Sequence, residues 1–527
     1  MSESRVPWLR NGMFLLLSLT VLLPFIAGSC GSGDSNSVYT SVRTDVFISG
    51  LTNNGFTVSE GYTRPILPID LVNSRTLDSA AGNNANQPYK RLQIPLAPSS
   101  NENQAEKSLG VFRLKPYEAL VYVGPTPPRG DYFSYTPFLW VRFADRVVSK
   151  GDWIFAALGD PLNHTQIKVE GGGDPFEKNT MIIFTADRGV YERLTARAVM
   201  AGFPASMINP YIFPSALLKM GVTQGSLEDD SFAIIVRSAN VVDQSAAQSY
   251  MDNDNYARIF RVTPDSVPTL NPFPTPTPRN RKATAETNLI PGLQQSLDNL
   301  KNAILAKYGS QTYRSFESIR WWPDSRDVLE TTDPTSSNFH KFVAGEASDT
   351  PYRRTSENGV AANFKLDKGD MVIVYGVNHA ATGLALYSNF SVYSEKVLNP
   401  CVSGNIVNYF FGCGNPLWNG IAGMGSKDSK NPLTGKNHFT GSASYFIPND
   451  PNAKYLYAAR VLRDAPTDSE NLPYVVVPVT DDSLPASGIQ LSDPVIIGYR
   501  AYVNPATGSG PAYEDVLPDR AIWFKAP

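Results

Sequence analysis

The sequence predicts an α+β protein of two globular halves, the first mixed α/β and the second β-rich, joined by a Pro-rich segment. Its length of 527 residues exceeds one small domain and allows two sizeable cores. Tyr and Phe contribute 25 and 26 residues, and this aromatic content favours sheets. Prolines recur between residues 264 and 278, which marks a stretch that is neither helix nor interior strand.

The N-terminal residues are typical of an export signal. Two arginines precede an uncharged run from Met13 to Ile26, and three small residues follow it. The run is shorter than the roughly 20 apolar residues that span a bilayer, and it contains Pro24. We therefore predict a cleaved signal peptide over 1–29. A retained membrane anchor is the competing interpretation.

A short motif ends this leader. Ala27-Gly28-Ser29-Cys30 resembles the lipobox of bacterial lipoproteins, and no family resemblance extends into the mature chain. The resemblance implies cleavage before Cys30 and a lipid on its thiol. Gly31 stands where an Asp would change sorting, which resembles the outer-membrane signal of Gram-negative cells. The resemblance thus implies an extracytoplasmic, periplasmic protein that is lipid-anchored at the outer membrane of a Gram-negative cell, with a flexible polar tether over 30–45.

The remaining cysteines form an even pair. With Cys30 assigned to lipid, Cys401 and Cys413 are left in an oxidising compartment, which predicts a disulfide. A loop of this length would constrain the unfolded chain by about 3 kcal/mol. Two buried thiols that never meet are the alternative. No metal site is expected, because no Cys-x-x-Cys spacing accompanies the pair.

The mature chain divides at the prolines. We predict an α+β domain over 46–263, a Pro-rich linker over 264–287, and a β-rich domain with an N-terminal helix over 288–527. Leucines at 293, 297 and 300 recur at helical spacing and predict that helix. In the first domain, Asp187 is the expected N-cap of a second helix. Strand-like runs of the last domain are 371–377, 455–462, 474–479 and 495–503.

An internal echo predicts duplication. Residues 150–152 and 368–370 both read Lys-Gly-Asp, and the strand-like runs that follow them both end in Asn-His. A duplicated unit would superimpose 140–264 on 358–480 about a pseudo-twofold axis. Chance repetition in a long chain is the alternative.

The echo also supplies the candidate catalytic residues. His164 and His379 end the two runs, and a strand end can present a general base to a carboxylate such as Asp152 or Asp370. Asp160 is a further candidate partner. The simpler interpretation, which we prefer, is that each Asn-His begins a turn and bonds to its own backbone.

Aromatic clusters supply the candidate binding residues. Trp321 and Trp322 are adjacent, as are Tyr409 and Phe410, and neighbouring side chains of an extended segment point in opposite directions. Trp418 follows the second cluster. Displayed rings would suit a carbohydrate, peptide or protein ligand. A small core beneath a long loop is an equally weighted alternative.

Several functional classes are excluded or disfavoured. The 46 basic and 49 acidic residues nearly balance, so no nucleic-acid partner is expected. No Gly-x-Ser-x-Gly, His-Glu-x-x-His or Walker motif is present, and no cofactor is expected. The sequence predicts a lipid-anchored binding or structural surface component that meets the membrane through its N-terminal lipid. The alternative is a secreted hydrolase or lyase with a His/carboxylate site between the halves.

Overall fold

The structure is a computed structural model that describes residues 34–66, 89–97, 110–142, 152–222, 229–397, 416–426, 439–479 and 488–527. Several predictions lie outside these residues. They are the signal peptide, the lipid site Cys30, the cysteine pair Cys401 and Cys413, and the rings of Tyr409 and Phe410.

Helices are few in the described part of the chain. They are α1 (Asp34–Thr52), α2 (Arg188–Met200), α3 (Gln244–Asp252), α4 (Glu286–Leu289), α5 (Leu293–Tyr308) and α6 (Ser325–Glu330). Strands dominate, so the fold is mixed α+β and β-rich, which confirms the predicted class at this level.

The first sheet takes its strands from residues 56–264. They are β1 (Phe56–Ile66), β2 (Tyr89–Gln93), β3 (Ala119–Pro125), β4 (Tyr132–Arg142), β5 (Asp152–Ala157), β6 (Leu162–Asn163), β7 (Asn179–Thr185), β8 (Ile208–Ile212), β9 (Ser231–Ala239) and β10 (Arg258–Pro264). Their order is β5-β4-β9-β2-β1-β10-β3-β7-β8, with β6 beside β4. Only β7 and β8 run parallel among the described pairs.

The second sheet takes its strands from residues 313–524. They are β11 (Tyr313–Arg320), β12 (Arg353–Glu357), β13 (Val360–Ala361), β14 (Met371–Val377), β15 (Tyr387–Val397), β16 (Pro416–Gly425), β17 (Leu456–Leu462), β18 (Tyr474–Val476), β19 (Val495–Tyr502) and β20 (Arg520–Phe524). Their order is β16-β15-β19-β12-β11-β20-β14-β17-β18, with β13 beside β12. The described parallel pair here is β17 with β18.

The two sheets share one strand order. Each position in the first order is matched in the second, with β1 in the place of β11, β3 in that of β14 and β5 in that of β16. The parallel pair lies at the same edge of both sheets. A helix precedes the first strand of each sheet, α1 in one and α5 in the other.

The predicted alignment of the duplicated unit is nevertheless wrong. Asp152 begins β5, whereas Asp370 directly precedes β14, which corresponds to β3. The echo therefore joins strands that are not equivalent. Short turn motifs recur by chance because many strands need a turn before them.

Strands at the same position in the two sheets pack against comparable hydrophobic clusters. Along β3, Leu120 and Tyr122 face one cluster, while Val121 and its neighbours face the cluster that includes α1 and α2. Along β14, Val374 faces one cluster and Ile373 faces the cluster that includes α5. Both strands are buried on both faces, because each sheet packs against helices on one side and against a second hydrophobic cluster on the other.

Helix predictions are confirmed where a buried stripe marked them. Leu293, Leu297 and Leu300 are buried on α5, and the Asp187 side chain accepts from the Val190 amide at 2.8 Å to cap α2. The predicted tether over 30–45 differs, because α1 begins at Asp34. Its later turns bury Phe47 and Leu51 against α2, which stabilises the whole helix.

The connection between β11 and β12 crosses to the first sheet. Val328, Leu329 and Val343 belong to the core of that sheet. The Val343 amide donates to Ile154 O at 3.0 Å, and the Gly345 amide donates to Phe155 O at 2.7 Å. Residues of the second sheet's unit therefore complete the first sheet.

The Pro-rich segment, predicted as a linker over 264–287, contacts residues of both sheets' units. Its Asn271 amide donates to Asp187 at 2.6 Å. Farther along, the Ala283 amide donates to Asp515 at 2.7 Å. The segment is held at both ends because its unpaired backbone groups find partners on each side.

Candidate binding site

A cavity of about 370 Å³ is lined by residues that precede, belong to and follow the Pro-rich segment. Its walls come from the loop after β5, from β8 and the turn that follows it, from the Pro-rich segment, and from α6 with the loop that crosses to the first sheet. The volume suits a small molecule. Apolar lining residues include Leu158, Leu162, Ile212, Leu217 and Leu329.

Glu346 is placed in this wall by an unusual backbone turn. Ala344 and Gly345 both have positive φ, at 51° and 72°. A Cβ at Gly345 would lie 2.7 Å from the Phe155 ring, so the turn needs glycine for its φ and for the close approach. The turn delivers Glu346, which is only 1% exposed, to the cavity wall.

Glu346 is incompletely compensated. One carboxylate oxygen accepts from the Ser325 amide at 2.8 Å. The other, Oε1, has no hydrogen-bond partner among the described residues, and Arg281 Nη1 lies 3.9 Å away. Burial raises the pKa of the Glu346 carboxyl to about 7, Asp324 adds to the rise, and Arg281 opposes it.

Arg279 joins the two units beside the cavity. Its amide donates to Asp160 at 2.6 Å, and its guanidinium lies 3.3 Å from a carboxylate oxygen of Asp349. The same guanidinium donates to Pro161 O at 2.8 Å. Burial raises the pKa of Asp349 to about 6 and the Asp160 carboxylate adds to the rise, while Arg279 opposes it.

Tyr211 lines the same cavity from β8. Its side chain is 6% exposed, and its hydroxyl has no hydrogen-bond partner among the described residues. Burial raises the pKa of the hydroxyl above its ordinary value, and the Asp160 carboxylate adds to the rise. A buried hydroxyl without a partner costs about 1–3 kcal/mol, which a ligand could recover.

The exposed charged residues of the lining, Asp327 and Glu330, lie on α6, on the side we call the mouth of the cavity. Arg326 pairs with Glu330, and Asp324 lies 3.5 Å from Arg320. Asp327 is exposed and makes no ion pair among the described residues. Five carboxylates and three guanidinium groups line the cavity as a whole. The site therefore has an excess of negative charge.

His379 lies elsewhere, enclosed by acids. Its Nδ1 is 2.7 Å from Glu286 Oε1, and its Nε2 is 3.5 Å from Asp519 Oδ2. Burial alone would lower the pKa of His379, but the two carboxylates raise it to about 10. The ring is therefore a buried cation at neutral pH and is not available as a general base.

The other predicted catalytic residues are not brought together with it. The half-buried ring of His164 packs against Phe133 and Phe176 at 6.0 and 5.7 Å, and it does not line the cavity. Asp370 accepts from the Trp523 ring nitrogen at 3.1 Å and holds the turn before β14. Asp152 begins β5. Of the predicted acids, Asp160 alone lines the cavity.

Two of the predicted aromatic binding residues, Trp321 and Trp322, pack against each other. Trp321 and Trp322 stack at 5.3 Å with their planes 13° apart. Trp321 also packs edge-on against Tyr393 at 5.2 Å, and both indoles are half-buried. Trp418 lies in β16, where its backbone pairs with Glu395. Tyr409 and Phe410 lie outside the described residues.

Sequence reasoning missed Glu346 and Tyr211. No motif surrounds either residue, and the positive-φ turn that delivers Glu346 depends on contacts with a distant strand. Arg279 and Arg281 carried a weak signal, because charged residues at the end of a proline-rich stretch need partners. Which partners they find is decided by the contact between the units.

The described residues show neither a metal-binding cluster nor a membrane-spanning helix. They contain no group of three or more His, Cys, Asp or Glu side chains placed to hold a metal ion. None of their helices combines the length and the apolar character that a membrane crossing requires.

Comparisons with known proteins give little further information. No protein-family model and no curated protein matches the chain. An uncharacterised protein from Burkholderia cenocepacia aligns over 92% of this chain and 86% of its own, at 10% identity and a TM-score of 0.33. A protein from Vibrio parahaemolyticus aligns over 92% of this chain and 99% of its own, at 11% identity and a TM-score of 0.35. These scores are too low to bear on the architecture or the site.

Proposed function

We propose that this chain is an extracytoplasmic, lipid-anchored protein that binds a small molecule in the cavity between its two units. The observation that carries the binding role is the cavity of about 370 Å³, whose wall includes two buried side chains with unpartnered oxygens, Glu346 and Tyr211. Polar atoms buried without partners are costly, and ligand sites are where such atoms collect.

The binding role is tested by filling the cavity. Gly159 lines it, and a Cβ there would lie 3.7 Å from the Tyr211 hydroxyl, an ordinary contact. Gly159→Leu should therefore fold and occupy the space. The matched control is Gly50→Leu on α1, where no atom lies within 4 Å of the added Cβ.

We expect a library of small amines, acids, amino acids and sugars, screened by ligand-observed NMR, to contain compounds that bind the unaltered protein and Gly50→Leu. Gly159→Leu should lose at least tenfold in affinity for them. A ligand at a hundred times its Kd stabilises the fold by about 2.7 kcal/mol, so thermal shifts provide a second readout. Equal binding to Gly159→Leu would place the site elsewhere, and no binder at all would refute the role.

The proposed location follows from the leader and its lipobox-like end. Cys30→Ser should move the protein from the membrane fraction to the soluble periplasmic fraction of a Gram-negative host. The other two cysteines provide the matched control, because Cys401→Ser should leave fractionation unchanged. Membrane association that persists in Cys30→Ser would refute the lipid anchor.

We also propose that the chain is a duplicated pair of globular units, over 46–263 and 288–527, joined by the Pro-rich segment. The shared strand order and the matching parallel edge of each sheet support this proposal. A common strand order of this length is improbable for unrelated sheets, since many orders are compatible with ten strands.

A further inference from the structure

We propose that the ligand of this cavity is a small alkyl amine, whose ammonium group pairs with Glu346 and whose hydrocarbon chain lies against the apolar wall. This inference rests on the proposed binding function and names its substrate class. Three features of the cavity support it: its charge, the availability of its polar groups and its apolar lining.

The cavity has more anions than cations. Its lining has five carboxylates and three guanidinium groups. Asp349, just behind the wall, adds a carboxylate that shares Arg279 with Asp160. A ligand that brings a positive charge would restore the balance, whereas a ligand that brings a negative charge would increase the excess.

Each cation of the lining already has partners within the chain. Arg279 donates to Pro161 O and pairs with Asp349. Arg281 lies 3.3 Å from the carbonyl oxygens of Gly510 and Pro511. An anionic ligand would have to displace these partners, and each lost charged hydrogen bond weakens binding.

Arg326 is engaged in the same way at the mouth. It pairs with Glu330 and donates to Pro276 O at 3.3 Å. Two carboxylates of the lining, by contrast, remain able to pair with a ligand. Glu346 Oε1 accepts no hydrogen bond, and Asp327 has no cationic partner among the described residues. Among the guanidinium groups of the lining, Arg279 Nε is also without a hydrogen bond, but it lies 3.6 Å from the Asp160 carboxylate, which already offsets its charge.

The remaining lining suits methylene groups. Leu158, Leu162, Leu217 and Leu329 line the cavity together with several prolines. Such walls gain about 25 cal/mol for each Å² of apolar surface removed from water, without imposing direction. Tyr211 adds a hydroxyl that can accept a second hydrogen bond from an ammonium group.

The test uses isothermal titration of the full mature chain at pH 7.5 with four probes of similar length. They are 1,4-diaminobutane, butylamine, 1,4-butanediol and succinate. We expect both amines to bind, the diol to bind at least tenfold more weakly than the diamine, and succinate not to bind. Added salt should weaken binding of the diamine, because its binding partners are charged groups.

Two variants test the assigned residues. Glu346→Gln keeps the shape of the side chain and should weaken binding of the diamine at least tenfold. The matched control is Glu192→Gln, on the exposed face of α2. Asp327→Asn removes an exposed charge at the mouth, so its effect is measurable even if Glu346→Gln folds poorly. This variant should lower the affinity for the diamine more than it lowers the affinity for butylamine.

The outcomes separate this inference from the proposed function. If the diol binds as tightly as the diamine, or succinate binds in preference to both, the cationic class is refuted while the cavity remains a binding site. Unchanged diamine affinity in Glu346→Gln and Asp327→Asn also refutes it. If no compound of the wider library binds, the proposed function itself fails.

Discussion

At the scale of single residues, the buried charges of this chain fall into two groups. His379 is flanked by Glu286 and Asp519 and supplies a cation that both acids need. Glu346 has one distant cation and a carboxylate oxygen without a hydrogen bond. The first arrangement is complete within the chain, which is typical of a structural role, and the second is incomplete, which supports the proposed binding role.

The completeness of the His379 cluster can be measured. His379→Gln leaves Glu286 and Asp519 buried without their shared cation, and breaking such a buried pair costs about 3–5 kcal/mol. We expect a loss of that size in urea unfolding at pH 7. The matched control His340→Gln, at an exposed histidine, should change the free energy of unfolding by less than about 0.5 kcal/mol.

The pH dependence gives the same experiment a second readout. The pKa of His379 rises from 6.5 to about 10 on folding, so its stabilisation is fully present below pH 6.5 and is lost as the pH rises towards 10. The difference between the unaltered protein and His379→Gln should therefore shrink over that window. A difference that is constant with pH would show that His379 acts through packing alone.

The raised pKa of the Glu346 carboxyl also makes the folded state less stable as the pH rises. The pKa of Glu346 rises from 4.5 to about 7, so the folded state holds a proton that the unfolded state has released. Its contribution is most favourable below pH 4.5, and it becomes unfavourable as the pH rises through 7. A bound cation would oppose this cost, because it favours the ionised carboxylate.

At the scale of elements, sequence prediction succeeded where one side of an element is buried by its own unit. Leucines at helical spacing predict the α5 helix, and β14 matches its predicted run residue for residue, Met371–Val377. The α1 helix was missed because its first turns are polar and its buried apolar residues, Phe47 and Leu51, come late. Local pattern could not reveal a helix that is stabilised by contacts with α2.

Pairing between strands could not be predicted in the same way. Strand β1 pairs with β10, and β11 pairs with β20, across nearly the full length of each unit. Side-chain alternation indicates that a strand exists, but it does not say which strand lies beside it. The Lys-Gly-Asp echo suggested duplication through strands that are not equivalent, whereas the strand order carries the repeat without any shared motif.

At the scale of the whole molecule, the candidate site combines residues that lie far apart in the sequence. Asp160 and Tyr211 come from the first unit, Glu346 from the second, and Arg279 from the segment between them. Sequence analysis named Asp160 as a candidate acid but could not place it beside Arg279, because their proximity depends on how distant parts of the chain pack. A site of this kind is encoded in the tertiary contact and not in a local motif.

The contact between the units also predicts how the chain responds to cleavage. A protease site placed within 265–270, where Val267 and Leu270 are exposed, should be cut without loss of structure. The two fragments should then elute as one species, because Val328 and Val343 remain in the core of the first sheet. Denaturant should be needed to separate them.

The control for this experiment weakens the contact alone. Val343 is fully buried in the first sheet's core, and Val343→Asp places an uncompensated charge there, which costs several kcal/mol. After cleavage, that variant should separate into its fragments in native buffer, while the unaltered nicked protein stays whole. If the unaltered fragments separate just as readily, then the crossing connection does not hold the units together, and a cavity between them would be too loosely built to bind a ligand.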